Sequence, residues 1–440
     1  VSKVYLLSLG CDKNRVDGEV MVGTLRVAGY DVVNNPEDAA AIIINTCGFI
    51  RDAVQESIDT IFELAEYKKT GRCRALLVVG CMAERYKAEI KETLPEADAI
   101  AGVGEYDKIA EILAKYIKPA EKNPPEFAGP SRLAARRDAE ASHAAYVKIA
   151  EGCDNKCTYC TIPMIRGGYR SRPEEEILEE CRLLAEAGAK ELILVAQDTA
   201  LYGTDIYGAK KLPELLLKVA KTSGAKWIRL MYAYPEHITP ALIDVMAENP
   251  EICKYLDMPI QHCENGVLSR MGRGGSKRDL EQLIRVLRDR VPGIALRTTL
   301  MVGFPGETAE DFENLFEFVK EIKFDRMGVF PYSQEEGTPA ATMPYQVDEE
   351  LKQERLSRLM ALQQDIHFEK QRKRVGQVLP VIPDETPETS GGEYIGRTQA
   401  DAYGVDALVY FSSREEIFPG QIVDVKITAA DGYDLRGVAE

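Results

Sequence analysis

Residues 146–160, YVKIAEGCDNKCTYC, open as a short apolar strand and run straight into a loop carrying Cys153, Cys157 and Cys160. Thiols placed just after the first strand of a strand-helix series lie where the ligand sites of parallel α/β barrels gather. Downstream, apolar runs predict further strands at 191–195, 227–231, 254–258, 295–302 and 326–332. Helical spacing predicts helices at 173–187, 212–221, 240–247, 277–290 and 309–322 between them. Six strands alternating with helices predict a partial parallel barrel, short of a closed eight.

Upstream, residues 4–9, 41–45 and 75–79 form three nearly unbroken apolar segments, the pattern of parallel strands covered on both faces. Helical patterns follow at 16–28, 53–67 and 84–93, so residues 1–137 read as an α/β domain. The basic, alanine-rich stretch 131–143, SRLAARRDAEASH, reads as a linker. The partial barrel then takes 138–374 and ends on a charged helix over 348–374. Residues 375–440 lack helical periodicity and alternate Val, Ile and Tyr with Gly and Pro, which predicts a small antiparallel β-barrel. The fold class is therefore α/β, with three units.

Composition narrows the function. At 440 residues the chain exceeds what one core supports. No apolar run reaches the roughly 18 residues that a membrane span needs. The opening VSKVYLLSLGC is too short in its apolar run, and too poor in basic residues, for an export signal. Ten cysteines without such a signal point to reducing cytoplasm and thiols free to bind metal. The four histidines (His143, His237, His262 and His367) show no metal-binding spacing. A formal charge of −16 repels nucleic-acid phosphates and suits a basic protein partner.

Three closely spaced thiolates can hold three irons of a four-iron cluster and leave the fourth open to a cofactor or substrate. Structural zinc would need a fourth ligand, and no Cys or His follows nearby to supply it. Cys11, Cys47 and Cys81 are far apart in sequence, yet each comes directly after one of the three upstream strands. Parallel strands end on one edge, where ligands bind, so these thiols are expected to converge. The plain alternative is three buried packing cysteines. Cys73, Cys181 and Cys253 read as such packing residues, and Cys263 as a core or loop thiol.

The C-x-x-x-C-x-aromatic-C pattern, with Tyr159 at the aromatic position, resembles the radical S-adenosylmethionine (SAM) superfamily. With the second triplet and the barrel-like tail, the whole chain resembles the methylthiotransferases. Gln197-Asp198-Thr199, followed by Tyr202-Gly203, is similar to the branch that modifies a ribosomal protein; tRNA-modifying relatives usually carry Asn at the Asp198 position and have basic tails. Residues 375–440 instead hold twelve Asp and Glu against four Lys and Arg, a net of −8, which suits a basic ribosomal protein.

The resemblance implies two [4Fe-4S] clusters, one on Cys11, Cys47 and Cys81 that carries the sulfur, and one on Cys153, Cys157 and Cys160 that binds SAM. One SAM molecule methylates the sulfur. A second yields a deoxyadenosyl radical that takes hydrogen from the β-carbon of an aspartate on small-subunit ribosomal protein twelve, giving 3-methylthioaspartate. An electron donor such as flavodoxin or ferredoxin and a sulfur source are implied as partners. Tyr159, Gln197, Gln261 and Arg297, near barrel strand ends, are candidate SAM contacts, with structural hydrogen bonding as the alternative; no catalytic side chain is expected beyond the cluster ligands.

Two other functions remain open at this stage: tRNA adenosine methylthiolation, and non-catalytic iron-sulfur carriage, although a carrier has no need of a SAM-type barrel. The 303–308 stretch, GFPGET, lacks the Lys of a nucleotide-binding loop and reads as a turn with a helix cap. Residues 401–407, DAYGVDA, depart from the family pattern, which has Pro and Glu in the middle and Gly at the end.

Overall fold

The computed structural model describes residues 2–119, 136, 142–387 and 392–440. Most of the predicted linker, and the boundary at 137, lie outside them. The first unit is a parallel sheet of β1 (Lys3–Ser8), β2 (Asp31–Val33), β3 (Ala41–Thr46), β4 (Ala75–Gly80) and β5 (Ala99–Ala101) in the order β2-β1-β3-β4-β5. Every residue of β3 and β4 is buried, which is why both read as unbroken apolar runs.

Alternate residues face opposite layers. Ile43, Leu77 and Val79 pack with Met21 and Leu25 of α1 (Asp12–Val27), while Ile42, Ile44 and Leu76 pack with Ile61 and Leu64 of α2 (Arg51–Ala65). The four-residue α3 (Tyr67–Thr70) follows. The helix expected over 84–93 is two pieces, α4 (Cys81–Arg85) and α5 (Lys87–Thr93), interrupted at Tyr86, where φ is −124° and ψ is 30°. Cys81 therefore opens a helix.

The second unit is a six-stranded, wholly parallel sheet of β6 (Ala144–Lys148), β9 (Glu191–Val195), β10 (Trp227–Leu230), β11 (Ile252–Asp257), β12 (Ala295–Val302) and β13 (Arg326–Pro331), in that order. Helices Glu174–Glu186, Leu212–Thr222, Pro240–Glu248, Lys277–Arg290 and Ala309–Ile322 cover it. Their apolar faces and the strands share one core. A short antiparallel pair, β7 (Ala150–Glu151) with β8 (Arg170–Ser171), closes the loop that carries the three cysteines. The GFPGET stretch is indeed a turn and cap: Thr308 and Asp311 form a reciprocal capping box.

The tail is a closed barrel of β14 (Val378–Glu385), β15 (Tyr394–Thr398), β16 (Val409–Ser412), β17 (Val423–Asp431) and β18 (Asp434–Ala439), ordered β14-β15-β16-β18-β17. It corrects the expectation of an antiparallel barrel in one pairing, since β16 and β18 run parallel. A closed ring with an odd number of strands cannot alternate direction throughout. Glu191, fully buried at the start of β9, receives Arg229 at 2.7 Å and pairs with Arg397 of β15, seating the tail on the second unit. The Tyr146 hydroxyl donates to the Tyr403 carbonyl at 2.9 Å across the same seam.

Candidate active site

In the first sheet, the chain order reverses between β1 and β3, leaving a crevice at their carboxyl ends where ligands of open α/β sheets bind. Cys11 caps α1 after β1, Cys47 follows β3, and Cys81 follows β4. Gly10 (φ +87°) lies so close to Cys47 that an added Cβ would stand 2.9 Å from the Cys47 Cβ and 3.0 Å from its sulfur. At Gly80 (φ +96°) an added Cβ would likewise stand 2.4 Å from Asn45 Oδ1 and 2.7 Å from the Thr46 carbonyl. Asn14 binds the strand exits together, its Nδ2 donating to Leu9 O at 2.9 Å and Thr46 O at 3.0 Å.

Cys153, Cys157 and Cys160 line a cleft of about 410 Å³ with Asn155, Met164 and Pro339 among its other walls. Buried Asp198 shapes the loop. Its carboxylate accepts from Asn155 Nδ2 at 3.0 Å and lies 2.6 Å from His237 Nδ1. His237 stacks on Tyr234, whose hydroxyl lies 3.5 Å from the Cys157 sulfur. Tyr159 packs edge-on against Phe304 and accepts from Arg273 at 3.3 Å; the Arg273 guanidinium also lies over the Tyr234 ring at 3.9 Å.

The two cysteine loops face one another. Thr161 Oγ1 donates to the Phe49 carbonyl at 3.0 Å. Arg166, fully buried, donates to the Cys81 sulfur at 3.3 Å, Asn14 Oδ1 at 2.6 Å, Asp17 Oδ2 at 3.0 Å and Glu151 Oε1 at 2.9 Å. Burial raises the Glu151 carboxyl pKa, but Lys148 and Arg166 outweigh it and hold the group well below the carboxylate range. Burial pushes the Cys81 and Cys153 thiols up to about 11 and Cys160 to about 12, with Arg166 opposing the shift at Cys81. A thiol held protonated in this way has to give up its proton to any metal it binds.

Among the described residues, no three Cys, His, Asp or Glu side chains converge tightly enough to hold one metal ion. All ten cysteines are free. Cys73, Cys181, Cys253 and Cys263 are buried in the cores, away from both triplets.

Three family models match: "Uncharacterized protein family UPF0004" at residues 3–102, the radical SAM superfamily at 147–319 and the TRAM domain at 375–439. The ribosomal protein uS12 methylthiotransferase RimO of Heliobacterium modesticaldum is 47% identical, over 99% of this chain and 95% of the relative. The protein of the same name from Desulforamulus reducens is 48% identical, over 99% of this chain and 98% of the relative. The chain belongs to the RimO family of radical SAM methylthiotransferases.

Two solved structures share much of this chain's fold at low identity. The radical SAM methyltransferase TsrM of Kitasatospora setae, with tryptophan and a SAM analogue bound, has a TM-score of 0.56 at 14% identity, over 83% of this chain and 89% of that one. The cobalamin-dependent radical SAM enzyme OxsB gives 0.52 at 13%, over 82% of this chain and 56% of that one.

Within this RimO-family chain the four candidate SAM contacts are dispersed. Tyr159 lies in the cysteine loop. Gln197 donates to Glu151 at 2.9 Å and leaves its buried Oε1 without a partner. Gln261, in the left-handed region at φ +68°, joins the exit of β11 to Leu300 of β12. Arg297 stands apart: third in β12, it is 3.2 Å from Asp257 and 3.5 Å from Asp406 of the tail, where it lines a separate cavity. Asp406, within the 401–407 stretch, also accepts from the Tyr255 hydroxyl at 2.8 Å. Sequence reasoning missed Lys13, Asn14, Arg166, Tyr234 and Arg273. The one signal within reach was Asp-Lys-Asn directly after Cys11 at a helix start; the others acquire roles only when the units meet.

Proposed function

We propose that this chain converts an aspartate of ribosomal protein uS12, the small-subunit protein twelve, to 3-methylthioaspartate. Cys11, Cys47 and Cys81 would hold one [4Fe-4S] cluster and Cys153, Cys157 and Cys160 a second. The observation that carries this reading is the facing of two cysteine triplets across a seam bridged by Arg166 and Thr161. When bound, the clusters would supply the electron for reductive SAM cleavage and the sulfur for transfer, chemistry beyond any side-chain acid or base. Sulfur and radical have to meet, and facing loops permit it.

The chain's own residues do the positioning. Asp198 holds Asn155 and His237, Arg166 holds the Cys81 loop, and Tyr234, stacked on His237, sets its hydroxyl 3.5 Å from the Cys157 sulfur. Tyr159, Gln197 and Gln261 would contact SAM, with the free Gln197 oxygen as a hydrogen-bond acceptor. We assign Arg297 to the seam with the tail instead. Electrons would come from a flavodoxin or ferredoxin, sulfur from a separate donor, and the reaction belongs in the cytoplasm with the ribosome. No helix among the described residues is long and apolar enough to cross a membrane.

The test is mass spectrometry after anaerobic incubation of reconstituted enzyme, reductant, SAM and a sulfur source with both uS12 and tRNA. A methylthio gain on a uS12 aspartate is the expected result. Modification of tRNA alone overturns the substrate reading, and failure to cleave SAM with intact clusters overturns the enzymatic one.

A further inference from the structure

We propose that Lys13 receives the side-chain carboxylate of the substrate aspartate and so determines that the enzyme acts on an aspartyl residue; this rests on the substrate reading above. Lys13 is two residues after Cys11, in the first turn of α1, and only 7% exposed. Its ammonium stands 2.9 Å from the centroid of the Tyr232 ring. Two residues on, Tyr234 touches Cys157. Lys13 thus sits in the seam between the triplets, where a carbon losing hydrogen on one side must meet sulfur on the other.

Lys13 lacks an anion, as does Arg273, whose guanidinium instead donates to the Pro259 carbonyl at 2.7 Å and the Tyr159 hydroxyl at 3.3 Å. Three further buried cations of the seam are paired: Lys148 and Arg166 with Asp17 and Glu151, Arg297 with Asp257 and Asp406. Among the described residues, no carboxylate lies within ion-pair distance of Lys13. The nearby acids are committed elsewhere, Asp12 to the Tyr232 hydroxyl at 2.9 Å, and Asp257 to Arg297 and to the Tyr232 backbone N–H at 3.2 Å. Those two bonds also hold Tyr232 in the left-handed region at φ +60°, fixing its ring beneath the ammonium.

A buried cation resting on an aromatic face alone is incomplete, because the ring offsets only part of the cost of desolvation. An aspartate carboxylate is the right complement. It is one bond from the β-carbon, so anchoring it fixes the very C–H that reacts, whereas asparagine offers no charge.

The experiment compares two uS12 peptides, identical but for Asp or Asn at the modified position, measuring binding and turnover with reconstituted wild type and K13M. Wild type should prefer the aspartyl peptide, and K13M should lose that preference by roughly thirtyfold or more, as for removal of a buried charge partner. Iron content and the electron paramagnetic resonance spectrum should not change. Retained preference in K13M overturns the proposal. So does equal binding of both peptides by wild type, a result that needs no variant to fold. Loss of iron in K13M overturns it in favour of a role toward the metal centre. A wild type that leaves the aspartyl peptide untouched and modifies tRNA overturns the substrate reading itself, and this role with it.

Discussion

Arg166 carries more of the site than any other side chain outside the cysteines. One planar guanidinium reaches the Cys81 sulfur, Asn14, Asp17 and Glu151 from a short helix of the second unit. Lysine keeps the charge but lacks the fork, so it cannot serve these directions together. Arg166→Lys should lower methylthio transfer by about tenfold or more, the usual cost of disturbing an outer-shell partner of a metal ligand. Deoxyadenosine release should persist, because the Cys153 loop keeps its own support from Asp198; quantifying both products checks this. The cysteines themselves should separate in the same assay. Cys153→Ala should abolish deoxyadenosine formation, whereas Cys11→Ala should retain it and yield no methylthio product.

At the level of elements, the helix Glu349–Arg372 links the second unit to the tail through His367. The His367 Nε2 lies 2.8 Å from the Tyr433 carbonyl and Nδ1 3.1 Å from Arg326, so the ring is neutral, donating to the first and accepting from the second. Burial and then Arg326 push its pKa below the ordinary histidine value, opposed by the Tyr433 and Asp325 backbone and, less, by Asp401. The unfolded chain therefore takes up the proton first. The stability contributed is complete above about pH 6.5 and is lost as pH falls below it toward the lower folded value. His367→Gln, whose amide can donate and accept in the same places, should flatten the fall in melting temperature between about pH 7 and pH 5. It should not abolish the fall, because burial pushes His262 down to about 3 and adds a slope of the same sign. Elements of this kind were readable wherever periodicity ran long: the three apolar strands of the first sheet, the six of the second and the covering helices all lie where spacing places them. The three-residue edges β2 and β5, the β7–β8 pair and the parallel β16–β18 closure were not, because short strands carry no period and closure is a property of the ring. The same divide holds in the site. The sequence singles out six cysteines by their places at strand exits and in the loop after the first barrel strand, but Lys13 and Arg166 look like ordinary surface charges until the two units bury them against each other.

For the whole molecule, the deciding quantity is charge. A chain at −16 opposes the approach of tRNA at long range and favours that of a basic protein, and the tail adds a net −8 over residues 375–440. The tail is also placed to matter: Asp406 meets Arg297 in the second unit, and the exposed Glu415 and Glu416 lie on the outer side of the barrel. Attraction of this kind acts on encounter more than on the bound complex. Raising salt from about 50 to about 200 mM should therefore lower kcat/KM for uS12 several-fold while leaving kcat unchanged. Glu415→Gln with Glu416→Gln should weaken that salt dependence if the tail is the surface that gathers the substrate. The pair is solvated and unpaired among the described residues, so the change tests docking without disturbing the core. An unchanged salt slope in the double variant would move the docking surface to another face. A rise in kcat/KM with salt would indicate that the partner is an anion, and with it that the acidic tail repels the true substrate.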